Sequence, residues 1–335
     1  MAVQRVRVID THTAGEPTRI VLEGAPELPG RTIMEKKNYM MTHREDQFRC
    51  SLMHEPRGHK CMFGAIVLPP CDPGADLGLI FMDGSIYDNM CGHGSIGAAM
   101  LAVERGLVPV REPVTEIRLD TPSGVVTARV DVKDGLATGV TLQNVPCFVF
   151  RQDAVVETEH YGPVQGDVVF GGNFFFLADA DHLGLSLSRE NAGKLTAFSM
   201  ELMRCANSQI PVQHPELPID EITIVELYSH KTVHPEAHQH DFVVAGDGQI
   251  DRSPCGTGTC AKMAAMYARG QLKLGEPFVY EGICDTMFTG RILGETRVGD
   301  FPAIMPEIRG MAYITAESTI LLDDRDPLRD GFVLA

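Results

Sequence analysis

Cys91-Gly92-His93-Gly94-Ser95 and Cys255-Gly256-Thr257-Gly258-Thr259 are two copies of one pattern, Cys-Gly-X-Gly-(Ser/Thr). Each copy runs on through an apolar stretch and ends in Arg-Gly at the same offset, Arg105-Gly106 and Arg269-Gly270. Ile96, Ala99, Met100 and Val103 recur at helical spacing, which predicts a helix over 95–105 that stops at Gly106. Met263, Met266 and Tyr267 predict another over 259–269, stopped by Gly270. Both are apolar on nearly every face, so sheet is expected to enclose them, with the methionines as core filler. A cysteine repeated at the head of a helix reads as an enzyme of two similar halves, each presenting one thiol to a shared substrate.

Working outward, 33 glycines and 21 prolines punctuate many short apolar runs and predict a strand-rich α/β (α+β) protein. Strands are expected at 5–9, 18–22, 77–82, 116–120, 125–132, 137–143, 168–171, 174–178, 222–228, 241–245 and 312–315. A third helix is expected over 189–206. Residues 323–327 read as a polar surface turn. A chain of 335 residues suggests two domains. With the motifs as equivalents the break falls within 129–139, giving residues 1–130 plus 311–335 for the domain of Cys91 and 131–310 for that of Cys255.

Net charge is −16, from 29 basic and 45 acidic side chains. That balance argues against nucleic acid or an anionic membrane as partner, since both require clustered Lys and Arg. The N-terminal residues alternate like a strand and carry no signal-peptide core. No run approaches the roughly 18 apolar residues of a membrane span. A cytoplasmic location is expected. The nine cysteines are odd in number and lack framework spacing, so they are read as reduced thiols.

A helix N-terminus offers N–H groups and the positive end of the macrodipole. A carboxylate can dock there, and glycine after the cysteine lets the backbone approach it. The same field favours thiolate over thiol, so both cysteines are expected below their usual ~8.5. Two such sites suit inversion of a stereocentre next to a carboxylate. One thiolate removes the Cα proton, the other thiol protonates the opposite face, and the N–H groups stabilise the developing enolate charge. The scheme needs no cofactor and no metal.

Cys91 and Cys255 are therefore the catalytic candidates. The other seven cysteines (50, 61, 71, 147, 205, 260 and 284) are read as small hydrophobes. His93 is a candidate to bond substrate or tune Cys91. Asp251 is a candidate partner for a substrate ammonium, against the simpler reading of a salt bridge to Arg252. His234, His238 and His240 have metal-like spacing but no completing ligand, and Pro235 breaks the helix they would need, so no metal site is expected. Gly171-Gly172-Asn173 reads as a turn feeding the buried strand of Phe174-Phe175-Phe176. No Gly-X-Gly-X-X-Gly or Walker pattern occurs.

Several runs together resemble the proline racemase family nearly end to end. They are Asp10 to Arg19 (DTHTAGEPTR), Glu55 to His59 (EPRGH), Met90 to Gly94 (MCGHG), Gly171 to Phe175 (GGNFF) and Asp251 to Thr259 (DRSPCGTGT), with Asp326-Pro327 and Gly331-Phe332 closing. The resemblance implies two pseudo-symmetric diaminopimelate-epimerase-like domains, each a curved sheet wrapped around a central helix. It implies Cys91 and Cys255 as acid/base residues, with Gly92, His93, Gly256 and Thr257 on the substrate carboxylate and Asp251 on the ring nitrogen. It implies a small imino acid as partner, and a homodimer is compatible with it. Family members act as proline racemases, 4-hydroxyproline 2-epimerases or trans-3-hydroxyproline dehydratases, the last typically lacking one cysteine. Both cysteines here favour inversion. Phe63 matches the racemase type as a substrate-pocket residue, so proline is the first reading and 4-hydroxyproline the alternative. Ala245 departs from it, since racemases usually carry Phe there, and a smaller side chain leaves room for a hydroxylated ring. The polar run from Gly84 to Asn89 is also unusual.

Overall fold

The structure is a computed structural model that describes residues 3–334. It divides into two compact units: one runs to Leu142 and resumes at Met311, and the other is Gln143–Gly310.

In the first unit, Val3–Thr13 is flanked by two antiparallel strands, Ala312–Asp323 and Glu16–Glu23. Glu16–Glu23 runs parallel to Phe63–Leu68, which pairs antiparallel with Leu77–Asp83. Leu77–Asp83 is parallel to Val114–Thr121, and that strand is antiparallel to Gly124–Lys133. Two short helices, α1 (Ile33–Thr42) and α2 (Asp46–Met53), form the chain connection from Glu16–Glu23 to its parallel neighbour Phe63–Leu68. Their buried residues Ile33, Met40, Phe48 and Leu52 join Val6, Val8, Ile66 and Ile80 in one core cluster. Against the opposite face lies α3 (Gly92–Glu104), buried from Gly92 through Val103. It contacts strands from one end of this series to the other, including Ala312–Asp323 and Gly124–Lys133. A helix met by strand on all sides must be apolar all round, as the sequence requires.

The second unit repeats this order. Cys147–Glu157, Pro163–Phe170 and Phe174–Asp179 pair antiparallel in turn. Phe174–Asp179 runs parallel to Ile222–Ser229, which is antiparallel to Gln239–Ala245. Gln239–Ala245 is parallel to Phe278–Glu281, and Met287–Val298 follows antiparallel. Phe301–Gly310 then pairs with Met287–Val298 on one side and Cys147–Glu157 on the other, closing the sheet on itself. The helix inside is α5 (Gly256–Ala268), buried from Gly256 through Ala265. Outside lies α4 (Ala192–Gln209), whose buried Leu195, Phe198, Leu202 and Ala206 recur at helical spacing. With helices on both faces, the intervening strand is buried throughout, which accounts for the unbroken Phe174-Phe175-Phe176-Leu177-Ala178.

Two differences from the sequence-based expectation stand out. Both central helices begin three residues earlier than periodicity suggests, at Gly92 and Gly256, because glycine-rich first turns carry no apolar signal. Helices α1 and α2 are not predicted at all. Their faces mix apolar residues with buried Lys37, Arg49 and Ser51, so the 3.6-residue pattern is blurred.

Candidate active site

The first half-site is built at the C-terminal end of Leu77–Asp83. Asp83 Oδ1 accepts the N–H groups of Ser85 (2.5 Å) and Ile86 (2.7 Å) and the Ser85 hydroxyl (3.1 Å). Arg49 stacks over the Tyr87 ring, 5.5 Å from its centroid. The ammonium of Lys37, from α1, donates to Asn89 Oδ1. The unusual polar run from Gly84 to Asn89 is thus tied down by contacts inside its own unit. It delivers the chain to Cys91, the N-cap of α3, in extended conformation (φ −139°, ψ 121°). Cys91 Sγ accepts the Gly94 N–H at 3.2 Å and stands 3.3 Å from His93 Nδ1. His93 is fixed in turn: its carbonyl accepts the Thr13 hydroxyl at 2.9 Å, and Phe63 meets its ring edge-on at 4.5 Å. Phe63, Cys91, Gly92 and His93 are all buried. Gly92 and His93 supply the first two N–H groups of the helix, ahead of its own carbonyl ladder.

The second half-site has the same cap on a different support. Asp251 Oδ1 accepts the Ser253 N–H (2.8 Å) and hydroxyl (2.7 Å), and Ser253 Oγ accepts the Cys255 N–H at 3.2 Å. Cys255 Sγ accepts the Gly258 N–H at 3.3 Å, with the Thr257 hydroxyl 3.8 Å away. Gly256 and Thr257 occupy the first turn, as Gly92 and His93 do in α3. Arg252 donates to the Ile250 carbonyl at 3.0 Å, and Asp251 is oriented by Ser253. Unlike Cys91, Cys255 has a positive φ (48°), a conformation that costs a non-glycine residue about 1–3 kcal/mol. Surrounding structure pins this turn: the Thr259 hydroxyl donates to the carbonyls of Pro254 (2.9 Å) and Cys255 (2.8 Å).

Electrostatics corrects one expectation. The helix-start argument predicts a depressed thiol at Cys255, yet burial pushes it well above the ordinary thiol range. The acidic side chains of Asp251, Glu226 and Asp241 add to that when charged, and the Gly258 N–H only partly offsets them. A helix terminus contributes about 0.3–1 kcal/mol at exposed sites, too little against burial beside three acids. Sequence reasoning passed over two of those acids. Glu226 is the one charged residue in the strand Ile222-Thr223-Ile224-Val225-Glu226-Leu227-Tyr228, and that is the signal that marks it.

Ala245 ends strand Gln239–Ala245. Its neighbour two residues back, Val243, is paired with Asp251, so the three share one face of the sheet. The histidine run is held by local bonds: His234 Nε2 lies 3.0 Å from the Asp285 carbonyl, and His238 Nδ1 accepts the Val279 N–H at 2.9 Å. Among the described residues, no three His, Cys, Asp or Glu side chains are grouped to hold a metal, and no helix is long and apolar enough to cross a membrane.

A strand order used twice, each time around a helix capped by a cysteine sulfur, defines an isomerase of the amino-acid racemase and epimerase class. Residues 8–333 match the family model described as proline racemase, and the chain belongs to that family. It is 48% identical over 330 residues to the proline racemase of Clostridioides difficile, covering 98% of both chains. It is 40% identical to the 4-hydroxyproline epimerase of Brucella ovis, again with 98% of each covered. The crystal structure of a hydroxyproline epimerase from Agrobacterium vitis, with bound trans-4-hydroxy-L-proline, superposes with a TM-score of 0.94 at 32% identity, covering 99% of this chain and 95% of that one.

Proposed function

We propose that this enzyme inverts the Cα centre of a proline-like imino acid by a two-thiol, cofactor-independent mechanism, with proline as its substrate. One cysteine, as thiolate, takes the Cα proton. The other, as thiol, gives a proton to the opposite face of the carbanion, and the roles exchange for the reverse reaction. Main-chain N–H groups of Gly92, His93, Gly256 and Thr257 receive the substrate carboxylate and the charge that grows on it. Asp251 pairs with the ring ammonium, and Phe63 packs the ring. The observation that carries this reading is the duplicated sulfur cap: Cys91 and Cys255 each accept the N–H three residues on, at 3.2 and 3.3 Å.

A second reading is 4-hydroxyproline 2-epimerisation, favoured by the small side chain of Ala245 on the sheet face of Asp251. The test is a panel of L-proline, trans-4-hydroxy-L-proline and trans-3-hydroxy-L-proline in deuterated water, followed by NMR. Cα deuteration with inversion of proline is the expected result. Preferential turnover of 4-hydroxyproline selects the second reading, and a ketimine from the 3-hydroxy compound sinks both. Cys91→Ser and Cys255→Ser must each abolish inversion.

A further inference from the structure

Glu226 lies fully buried on Ile222–Ser229, and the two-thiol scheme gives it no role. Its Oε1 accepts the Tyr280 hydroxyl at 2.7 Å, while Oε2 is enclosed and has no hydrogen-bond partner. A Cβ placed on Gly258 would fall 2.2 Å from that Oε2 and 3.0 Å from Cys255 Sγ. The carboxyl oxygen and the sulfur therefore both close on the side of Gly258 where a side chain would project, and a methyl group there would clash with the carboxyl. The N–H of this same glycine caps the sulfur.

A buried carboxyl group with one oxygen facing no donor is better accommodated as the neutral acid than as the anion. Its surroundings agree. Lys262 on α5 and Tyr280 on Phe278–Glu281 favour the anion; Asp251 on Gln249–Asp251 and Asp241 on Gln239–Ala245 oppose it. Tyr228 and Cys255 complete the set of titratable neighbours. The Lys262 ammonium sits over the Tyr228 ring, 2.9 Å from its centroid. Burial prevails and raises Glu226 to about 7, within the working range of an enzyme.

We propose that Glu226 is a positioning residue for Cys255: as a neutral acid beside the α5 cap it lets the sulfur carry negative charge, and on losing its proton to solvent it drives the sulfur back to the thiol. The catalytic meaning rests on the two-thiol reading, but the reactivity of the sulfur reports the coupling without any substrate.

The experiment is iodoacetamide alkylation of the full-length protein from roughly pH 6 to 10, with the Cys255 peptide quantified by mass spectrometry and Cys50 as internal control. Glu226→Gln keeps an acceptor for Tyr280 and removes the charge. Its Cys255 profile should move to lower pH by about one unit, giving about tenfold faster labelling below the thiol's pKa, with Cys50 unchanged. Tyr280→Phe removes the donor that favours the carboxylate, so Glu226 stays neutral to higher pH and the profile should move the same way. This variant decides the matter if Glu226→Gln does not fold. An unmoved profile in folded variants, a shift to higher pH, or a Cys255 that stays unlabelled in every protein overturns the proposal. A shifted profile in an enzyme that inverts no imino acid would refute the functional reading and leave the coupling standing.

Discussion

Cys91 Sγ stands 3.3 Å from Nδ1 of His93, and the imidazole is clamped by Phe63 against its ring and by Thr13 on its carbonyl. A histidine held this close can share a proton with the sulfur, which no residue does at the equivalent position of the second site, where Thr257 stands. His93→Gln should slow inversion by about 10²-fold, within the range of acid–base contributions. It should also change the pH profile of Cys91 alkylation and leave that of Cys50 in place. Unchanged turnover and an unchanged Cys91 profile would remove His93 from the chemistry.

Glycine is required unequally in the two caps. A Cβ at Gly258 would lie 2.2 Å from Glu226 Oε2 and 3.0 Å from Cys255 Sγ, whereas one at Gly94 meets Cys91 Sγ and the Phe81 ring at 3.2 Å. Gly258→Ala should destabilise the protein by about 1–3 kcal/mol and impair inversion, because the methyl group must displace the fully buried Glu226 carboxyl and press on the sulfur beside it. Gly94→Ala needs shifts of only a few tenths of an ångström and should be the milder of the two. Urea unfolding midpoints with an inversion assay check the order, and a reversed order would contradict this account of the caps.

Ala245→Phe should favour proline over 4-hydroxyproline. The added ring would extend along the face that carries Asp251, narrowing the space for a ring substituent. A change of about 1–3 kcal/mol in relative transition-state binding, ten- to two-hundredfold in the ratio of kcat/KM values, is the scale for such a contact. An unaltered ratio would place Ala245 outside the substrate pocket.

Lys37 makes folding pH-dependent. Burial lowers its pKa to about 8, with Asp88 partly offsetting, so the folded state gives up this proton before the unfolded chain does. Below pH 8 the charged lysine opposes folding by up to about 3 kcal/mol. That penalty fades as pH rises from about 8 to 10.5, the ordinary lysine value. Relative to Lys37→Met, the wild-type protein should therefore gain stability between pH 7 and 10, measured by urea unfolding at each pH. A constant difference would show that Lys37 titrates normally.

The doubled Cys-Gly-X-Gly pattern marked, by itself, the internal repeat and the two central helices, with starts three residues late, and it pointed to the reaction class. Each of these is local: a sulfur three residues from a glycine N–H, followed by residues with no polar face, can be read along the chain. The unbroken apolar strand at 174–178 was legible for the same reason. What tertiary structure alone decided is the environment of those local units. Helices α1 and α2 escaped because packing against the outer sheet face, with Lys37 and Arg49 drawn into buried bonds, overrides amphipathic spacing. The raised thiol of Cys255 escaped because Glu226 and Asp241 stand 29 and 14 residues before it in the chain and reach it only through strand pairing. Sequence placed the sulfur at a helix start; the closed sheet around that helix decided which charges it faces, and over such distances burial and carboxylates outweigh the helix terminus.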